Sequence, residues 1–109
     1  MKFRQTIKIQ EVDFDVNKEN EKLIINNSGA LVCFVGTVRG NSENSEEILS
    51  MTLEHYSGMT ENEISIITKK ASQKWQIEAI TVIHRIGKLF PSDQIVYVGV
   101  SSRHRQNAF

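Results

Sequence analysis

Several features that define whole classes of proteins are scarce in this chain. A single cysteine, Cys33, excludes an internal disulfide and fits a reducing compartment. The spacing of Cys and His matches no common metal-binding pattern. The apolar runs are far shorter than the roughly 20 residues of a membrane-spanning helix, and no signal-like apolar block follows the N-terminus. We therefore expect a cytoplasmic protein that uses neither a metal nor a cofactor.

An excess of charge is missing as well. Thirteen basic and thirteen acidic residues cancel, whereas bulk attraction to nucleic acid or anionic lipid needs a clear positive excess. We therefore expect no nucleic-acid partner and no membrane partner. The distribution is uneven at one end, because no Asp or Glu follows Asp93 while Arg103 and Arg105 flank His104. This cationic cluster suits an anionic small molecule bound locally.

The hydrophobic pattern predicts a single α+β domain over residues 1–109, with two helices packed against a mostly antiparallel sheet. The expected order is an edge strand, a helix, a central strand, another strand, a helix and two further strands. These elements are assigned in turn to Phe3 to Ile9, the segment capped by Asp15, Ala30 to Val38, Ile48 to Tyr56, the segment capped at Thr60, Ile77 to Ile86, and Ile95 to Val100.

Two elements carry finer expectations. The run from Ala30 to Val38 is apolar on both alternating faces, which is typical of a central strand covered on both sides. With the polar loop that starts at Gly40 and the strand at Ile48 to Tyr56, it indicates a long hairpin. In the second helix, the three- and four-residue spacing predicts a buried face, formed by Ile64, Ile67, Ala71 and Trp75.

Three residues with reactive side chains also have structural explanations. Cys33 has apolar neighbours and no cationic residue nearby on its own strand face, so we expect it in the core rather than as a nucleophile. His84 lies on an apolar strand face, which favours a hydrogen-bonded structural histidine over a base. The pattern around His55 does not decide between the two roles.

Arg39 ends an apolar strand where the backbone enters a flexible loop, a place where scaffolds present ligand-binding groups. Position alone leaves a ligand-binding arginine and a solvated surface arginine equally open. His104 and Arg105 form a similar strand-end site. Two such ends could jointly hold a phosphate through charge-assisted hydrogen bonds worth roughly 1.5–3 kcal/mol each.

Four segments in order resemble the large, catalytic subunit of molybdopterin synthase, the MoaE family. They are Phe34 to Arg39, Leu53 to Glu61, Val82 to Gly87 and Val98 to Arg105. The combination of a Leu-Glu-His-Tyr block with a His-Arg-Ile-Gly block is much more specific than either alone. The match covers nearly the whole chain.

The resemblance implies an α/β-hammerhead fold and a homodimer that binds a small ubiquitin-like sulfur carrier at each end, giving a heterotetramer. It implies transfer of sulfur from the carrier's thiocarboxylate to cyclic pyranopterin monophosphate, which forms molybdopterin in molybdenum cofactor biosynthesis. It further implies that Thr37, Val38 and Arg39 line the substrate pocket, and that His104 with Arg105 binds the precursor across the dimer interface.

The family continues past the segment that matches Phe109, and its catalytic lysines lie in that continuation. The resemblance therefore implies a single MoaE-like domain without the family's C-terminal segment, and it assigns no catalytic residue within this sequence. An alternative is a truncated, non-catalytic module that retains dimer or carrier binding. A third hypothesis, motivated only by the Arg-His-Arg cluster, is a small phosphate- or nucleotide-binding α+β domain, although no Gly-rich phosphate loop occurs.

Overall fold

The computed structural model describes residues 3–24, 28–40, 51–53 and 59–103. In these ranges the elements run β1 (Arg4–Gln10), α1 (Val16–Leu23), β2 (Ala30–Thr37), β3 (Met51–Leu53), α2 (Met59–Lys74), β4 (Ile77–Arg85), β5 (Gly87–Leu89) and β6 (Gln94–Ser102). The α+β prediction is confirmed. The sequence analysis missed β5, because this short strand lies where turn residues dominate. The polar loop after Gly40, His55, and the pair His104 and Arg105 lie outside the described residues.

Four of the strands form one mixed sheet in the order β1-β4-β6-β2. β6 is antiparallel to both of its neighbours, β4 and β2, whereas β1 runs parallel to β4. β3 and β5 form a separate antiparallel pair. The predictions of a mostly antiparallel sheet and of β1 as an edge strand are therefore confirmed. That the whole of 1–109 forms one domain stays a prediction.

The prediction that β2 is a central strand is wrong for the part of the chain that the structure describes. β2 lies at the end of the strand order and pairs there with β6 alone. Phe34 is 62% exposed, and Cys33 is exposed instead of lying in the core, with Asn20 Nδ2 donating to its Sγ over 3.8 Å. Apolar residues on both faces of a strand indicate that both faces can be buried. They do not determine whether the strand is central or at the edge of the sheet.

The hairpin predicted between β2 and the following strand is also wrong for the residues that the structure describes, of which only Met51–Leu53 belong to that second strand. β3 pairs instead with β5, in a register that joins Met51 to Leu89 and Leu53 to Gly87. Gly87 has a φ of 88°, a conformation that glycine adopts without a Cβ clash. The chain therefore turns at the end of β4, and β5 leaves the large sheet to meet β3.

Helix α1 follows its sequence signals closely. The Asp15 side chain caps the helix by accepting a hydrogen bond from Lys18 N at 3.2 Å. The helix buries Leu23, whereas the next residue, Ile24, is the C-cap and is 61% exposed. Leu23 belongs to the core cluster of one sheet face, with Phe14, Ala79, Ile83 and Tyr97.

Helix α2 contacts the sheet through a more polar face than predicted. Gln5 Nε2 on β1 donates to Ser65 O at 3.1 Å and also to Thr68 Oγ1, and Thr68 is only 4% exposed. Ile67 and Trp75, predicted to be buried, are 66% and 45% exposed. The hydrogen bonds to Gln5 favour a helix orientation that turns Ile67 outward, which spacing alone does not reveal.

The prediction for His84 is wrong in one respect. Its Nδ1 is buried and has no hydrogen-bond partner within the described residues. The cross-strand neighbours of His84 are Ile9 on β1 and Val96 on β6, and neither side chain has a polar group. The surroundings therefore explain why the imidazole lacks the hydrogen bond that the sequence predicts.

Gly99 on β6 gives a test of this core. A Cβ at this position would overlap the Tyr97 hydroxyl and Leu23 Cδ1, and Tyr97 is fully buried. We expect Gly99→Ala to lower the free energy of unfolding by about 1–3 kcal/mol, as overpacked core substitutions do. Urea denaturation measures the change. Gly40→Ala is the control, because nothing lies within 4 Å of its added Cβ; equal stability of the two variants would contradict the described packing.

Candidate functional site

The candidate site is built on the end of β2. After Thr37, Val38 N donates to Asp93 O at 2.9 Å, and Ser92 N donates to Val38 O at 3.0 Å. Val38 itself is buried, with 3% of its surface exposed. Both backbone polar groups of Val38 are therefore hydrogen-bonded, in the two consecutive peptide units that lead to Arg39, which limits how far the Arg39 backbone can move.

The turn that holds Val38 is itself closed by hydrogen bonds. Asp93 N donates to Phe90 O at 2.9 Å, and Phe90 N donates to Asp93 Oδ2 at 2.8 Å. Pro91 occupies the second position of the turn, and Ser92 has a φ of 74°, as type II turns require at the third position. These hydrogen bonds make the turn rigid, and the turn in turn holds the adjoining end of β2 in place.

Arg39 is exposed, and its guanidinium makes no hydrogen bond or ion pair within the described residues. Of its two predicted companions, Thr37 is exposed and Val38 is buried. An arginine with five unused N–H donors on a fixed backbone is well suited to bind a phosphate or carboxylate through paired hydrogen bonds.

The second predicted cluster follows the opposite end of the strand pair. In the β2–β6 register, Ala30 lies opposite Ser102 and Thr37 lies opposite Gln94. The eight residues of β2 span roughly 23 Å between their terminal Cα atoms. Arg103, exposed, follows β6 directly at the far end. Within one chain, the Arg39 end and the end that leads to His104 and Arg105 are therefore widely separated.

Arg85 has a contact role that the sequence analysis did not anticipate. Its Nε and Nη2 donate to Glu11 O at 3.1 and 3.0 Å, and its Nη1 donates to Gln94 O at 2.9 Å. Asp13 Oδ1 lies 3.7 Å from the same Nη1 and accepts from Gln94 Nε2 at 2.8 Å. These contacts tie the start of β6 to the segment before α1. Because the partners are far apart in sequence, no local pattern could have identified the network.

The network changes the acidity of Asp13. Partial burial by itself would raise the pKa of this carboxyl group, but hydrogen bonds from Gln94 and Phe14 N and the charge of Arg85 outweigh it. The net result is a pKa below the ordinary value of 3.8. The ionised form of Asp13 is therefore favoured by folding.

Other kinds of site were not found in the described ranges. No group of three or more His, Cys, Asp or Glu side chains is placed there to hold a metal ion. Neither described helix is long and apolar enough to cross a membrane. Cys33 lies on β2 and His84 on β4, with β6 between them, so they do not form a thiol–imidazole pair.

The lowered pKa of Asp13 predicts a pH-dependent contribution to stability. Because the folded-state pKa lies below 3.8, the carboxylate stabilises the fold above about pH 4, and this contribution is lost as the pH falls through the folded-state pKa. We expect Asp13→Asn to lower the unfolding free energy at pH 7 and to match the wild type near pH 2. Urea denaturation at both pH values tests this. Glu21→Gln, at an exposed position of α1, is the charge-matched control; a deficit of Asp13→Asn that persists at pH 2 would contradict the assignment.

Comparison with known proteins places the chain in a family. The family model described as "MoaE protein" matches residues 9–109. The "Molybdopterin synthase catalytic subunit" of Salmonella typhimurium is 49% identical over 81 residues, which cover 74% of this chain and 53% of that protein. The same-named protein of Ralstonia nicotianae is 46% identical over 106 residues, covering 95% and 60% of the two chains. This chain therefore spans about half to three-fifths of the length of these relatives.

Solved structures agree with the sequence matches. The "Molybdopterin biosynthesis MoaE protein" of Burkholderia ambifaria superposes with a TM-score of 0.86 at 44% identity, over 96% of this chain and 69% of that one. Molybdopterin synthase from Staphylococcus aureus gives a TM-score of 0.84 at 30% identity, over 93% and 73%. The family match from residue 9 to residue 109 and the shared fold agree: the chain belongs to the MoaE family.

Proposed function

We propose that this chain acts as the large subunit of a cytoplasmic molybdopterin synthase. In this role it transfers sulfur from the thiocarboxylate of a small ubiquitin-like carrier to cyclic pyranopterin monophosphate, forming molybdopterin. Relatives between 43% and 49% identical that are named as catalytic subunits support this proposal and favour it over a non-catalytic module. The structural observation that carries it is Arg39, which stands on a hydrogen-bonded strand end and whose guanidinium has no partner among the described residues.

Arg39 suits the anionic part of the proposed substrate. A cyclic phosphate carries negative charge, and a guanidinium can donate two parallel hydrogen bonds to phosphate oxygens. The bonds that hold Val38 to Ser92 and Asp93 fix the backbone before the substrate arrives. Less conformational freedom is then lost on binding, which favours affinity.

The separation of the two strand ends supports a site shared between two chains. From Ser102 to Arg105 the chain extends at most about 11 Å, which is short of the roughly 23 Å that separates the ends of β2. Arg39 and Arg105 of one chain are therefore poorly placed to hold the same small ligand. A homodimer resolves this if Arg39 of one protomer faces the region after β6 in its partner.

The free side of β2 suggests how such a dimer forms. Within the described residues β2 pairs only with β6, so the backbone groups on its other side can pair with a second copy. In an isologous contact the two strands run antiparallel. The Thr37 end of one copy then lies beside the Ala30 end of the other, and Ala30 is opposite Ser102 of its own β6. Arg39 thereby approaches the partner's segment after Ser102.

The small subunit supplies the sulfur in this proposal. A thiocarboxylate is already an activated donor, so the large subunit has mainly to position the two reactants and stabilise developing charge. The family resemblance places the catalytic lysines beyond the segment that ends at Phe109. Lys69 and Lys70 are exposed on α2, and nothing assigns them this role.

Arg39→Ala tests the role of the strand end. We expect kcat/KM for cyclic pyranopterin monophosphate to fall by about 10- to 100-fold, the equivalent of one lost charge-assisted contact. The unfolding free energy should hardly change, because the side chain is exposed. Lys70→Ala removes the same charge from α2 and should leave turnover unchanged. Equal turnover of Arg39→Ala and wild type would contradict the proposed role.

Mixed dimers test the shared site. In a dimer of one Arg39→Ala chain and one Arg105→Ala chain, a site formed between chains leaves one of the two sites with both arginines intact. We expect such mixtures to regain about half of the wild-type sulfur transfer in the mixed species, while each variant alone stays impaired. No recovery after subunit exchange, confirmed by mass spectrometry of the mixed dimer, would place both arginines in a site within one chain.

A further inference from the structure

A cavity of about 350 Å³ lies between the edge strand β1 and helix α1. The parallel register places Thr6 of β1 beside Thr81 of β4, and both residues line the cavity. Arg4 Nη2 donates to Lys22 O of α1 at 3.3 Å, and Arg4 and Thr6 lie on the same face of β1 because they are two residues apart. The floor of the cavity therefore carries a pair of threonine side chains.

The hydroxyl group of Thr81 has no hydrogen-bond partner within the described residues, although the residue is only 5% exposed. The described buried side-chain atoms that lack both a partner and solvent contact belong to Glu78, His84 and Ser101. The Thr81 hydroxyl is therefore not closed off, and it opens into the cavity that the residue lines. In so buried a residue, this donor can bond only to what occupies the cavity.

Three cationic side chains surround the threonine pair. Arg4 and Lys8 lie on β1, one on each side of Thr6, and Lys22 lies on α1; all three are exposed. Lys8 makes no hydrogen bond or ion pair in the part of the chain that the structure describes. The lining also includes Glu19, which pairs with Lys22 Nζ at 3.3 Å. Three cations less one carboxylate leave the lining with a net charge of +2.

The C-terminal end of α1 lies at the same cavity and acts against an anion, because the last carbonyl oxygens of a helix carry partial negative charge. Two contacts offset this effect. Arg4 Nη2 donates to one of these carbonyl groups, that of Lys22, and the Lys22 side chain adds a positive charge in the last turn. Arg4 Nε and Nη1 have no partner among the described residues, so they remain available as donors.

We propose that this cavity binds a phosphate group, either as inorganic phosphate or as the dianion of a small phosphate monoester. The hydroxyl groups of Thr6 and Thr81 donate to its oxygens, and Arg4 and Lys8 contact its charge. β1 and β2 are opposite edges of the sheet, roughly 14 Å apart, so this site is separate from Arg39 and independent of the proposed sulfur transfer. The competing explanation is that the cations only protect an edge strand from pairing with other chains.

The ligand class follows from the groups that line the cavity. Hydroxyl, guanidinium and ammonium groups all donate hydrogen bonds, so the ligand must supply acceptors and negative charge. Two hydroxyl groups and two unoccupied cations are more donors than the two oxygens of a carboxylate use well, whereas a phosphate group offers three or four oxygens. Leu23 and Ala79 also line the cavity and give apolar contact for the organic part of an ester.

A nuclear magnetic resonance titration of the 15N-labelled protein tests the site. Sodium phosphate and phenyl phosphate are added separately at constant ionic strength, kept constant with sodium chloride, at about pH 7.5, where both are mostly dianions. We expect saturable shifts of the Thr6, Lys8 and Thr81 amide signals. Tighter binding of phenyl phosphate would support a monoester as the ligand, and equal affinity would support inorganic phosphate. Absence of saturable shifts with either compound up to about 20 mM would overturn the proposal.

Lys8→Gln is the matching variant, because it removes one charge at an exposed position. We expect it to weaken phosphate binding at least about tenfold, as the loss of a charge-assisted contact does. Lys18→Gln is the control, since Lys18 is exposed on α1 but does not line the cavity. Equal binding to the two variants would overturn the role of Lys8 and with it the site.

Thr81→Val tests the buried hydroxyl with almost no change of shape. We expect phosphate to bind about fivefold more weakly to it, the effect of one lost neutral hydrogen bond. Unchanged affinity would contradict the part assigned to Thr81. Unfolding curves show whether this variant is folded, and if it is not, Thr6→Val at the exposed neighbouring position decides in its place.

Arg39→Ala separates this site from the proposed function. We expect phosphate binding in the cavity to be the same in this variant as in the wild type. Loss of the titration in Arg39→Ala would place the phosphate at the end of β2 and overturn the proposal. Phosphate binding that depends on Lys8, in a protein that performs no sulfur transfer, would support the cavity site and contradict the proposed function.

Discussion

The antiparallel pairing of β6 with both β4 and β2 is the constraint on which the described structure depends. It places Tyr97 at the centre of the sheet, where the ring is fully buried, packs against Phe14 at a centroid distance of 5.9 Å and donates to Asn20 Oδ1 at 2.6 Å. Burial, with the nearby Cys33 and Glu19, raises the pKa of Tyr97 to about 12, so the hydroxyl stays a donor. The same pairing separates the two cationic ends of the sheet, and it leaves one side of β2 available.

Local signals were reliable where the determining partners lie nearby in sequence. The Asp15 cap, the β1 edge strand and the apolar run of β4 are examples, because a cap or an alternating pattern involves only neighbouring residues. The four segments that resemble the MoaE family identified the candidate arginine at the end of β2. That assignment, which stays a prediction, came from a specific pattern, since position alone left Arg39 undecided.

The failures concern partners that are distant in sequence. Whether β2 is central depends on which strand lies beyond it, and the face that α2 buries depends on hydrogen bonds to Gln5, some 60 residues away. Likewise, Cys33 is exposed because its strand lies at an edge. The bulge at Glu78 is a shift in the register between β4 and β6. The hydrophobic periodicity of β4 alone therefore does not predict it. These are properties of the tertiary pairing, which hydrophobic spacing constrains only weakly.

Arg85 and Arg39 show how a structural cation differs from a ligand-binding one in this fold. Arg85 donates to two backbone carbonyl groups and lies near Asp13, so its charge is already used to hold the segment before α1 against β6. Arg39 stands on a backbone fixed by the turn at Ser92, yet its guanidinium has no partner in the described part of the chain. The fixed backbone limits where the Arg39 side chain can reach, but it uses none of the guanidinium N–H donors. These donors therefore remain available for a ligand.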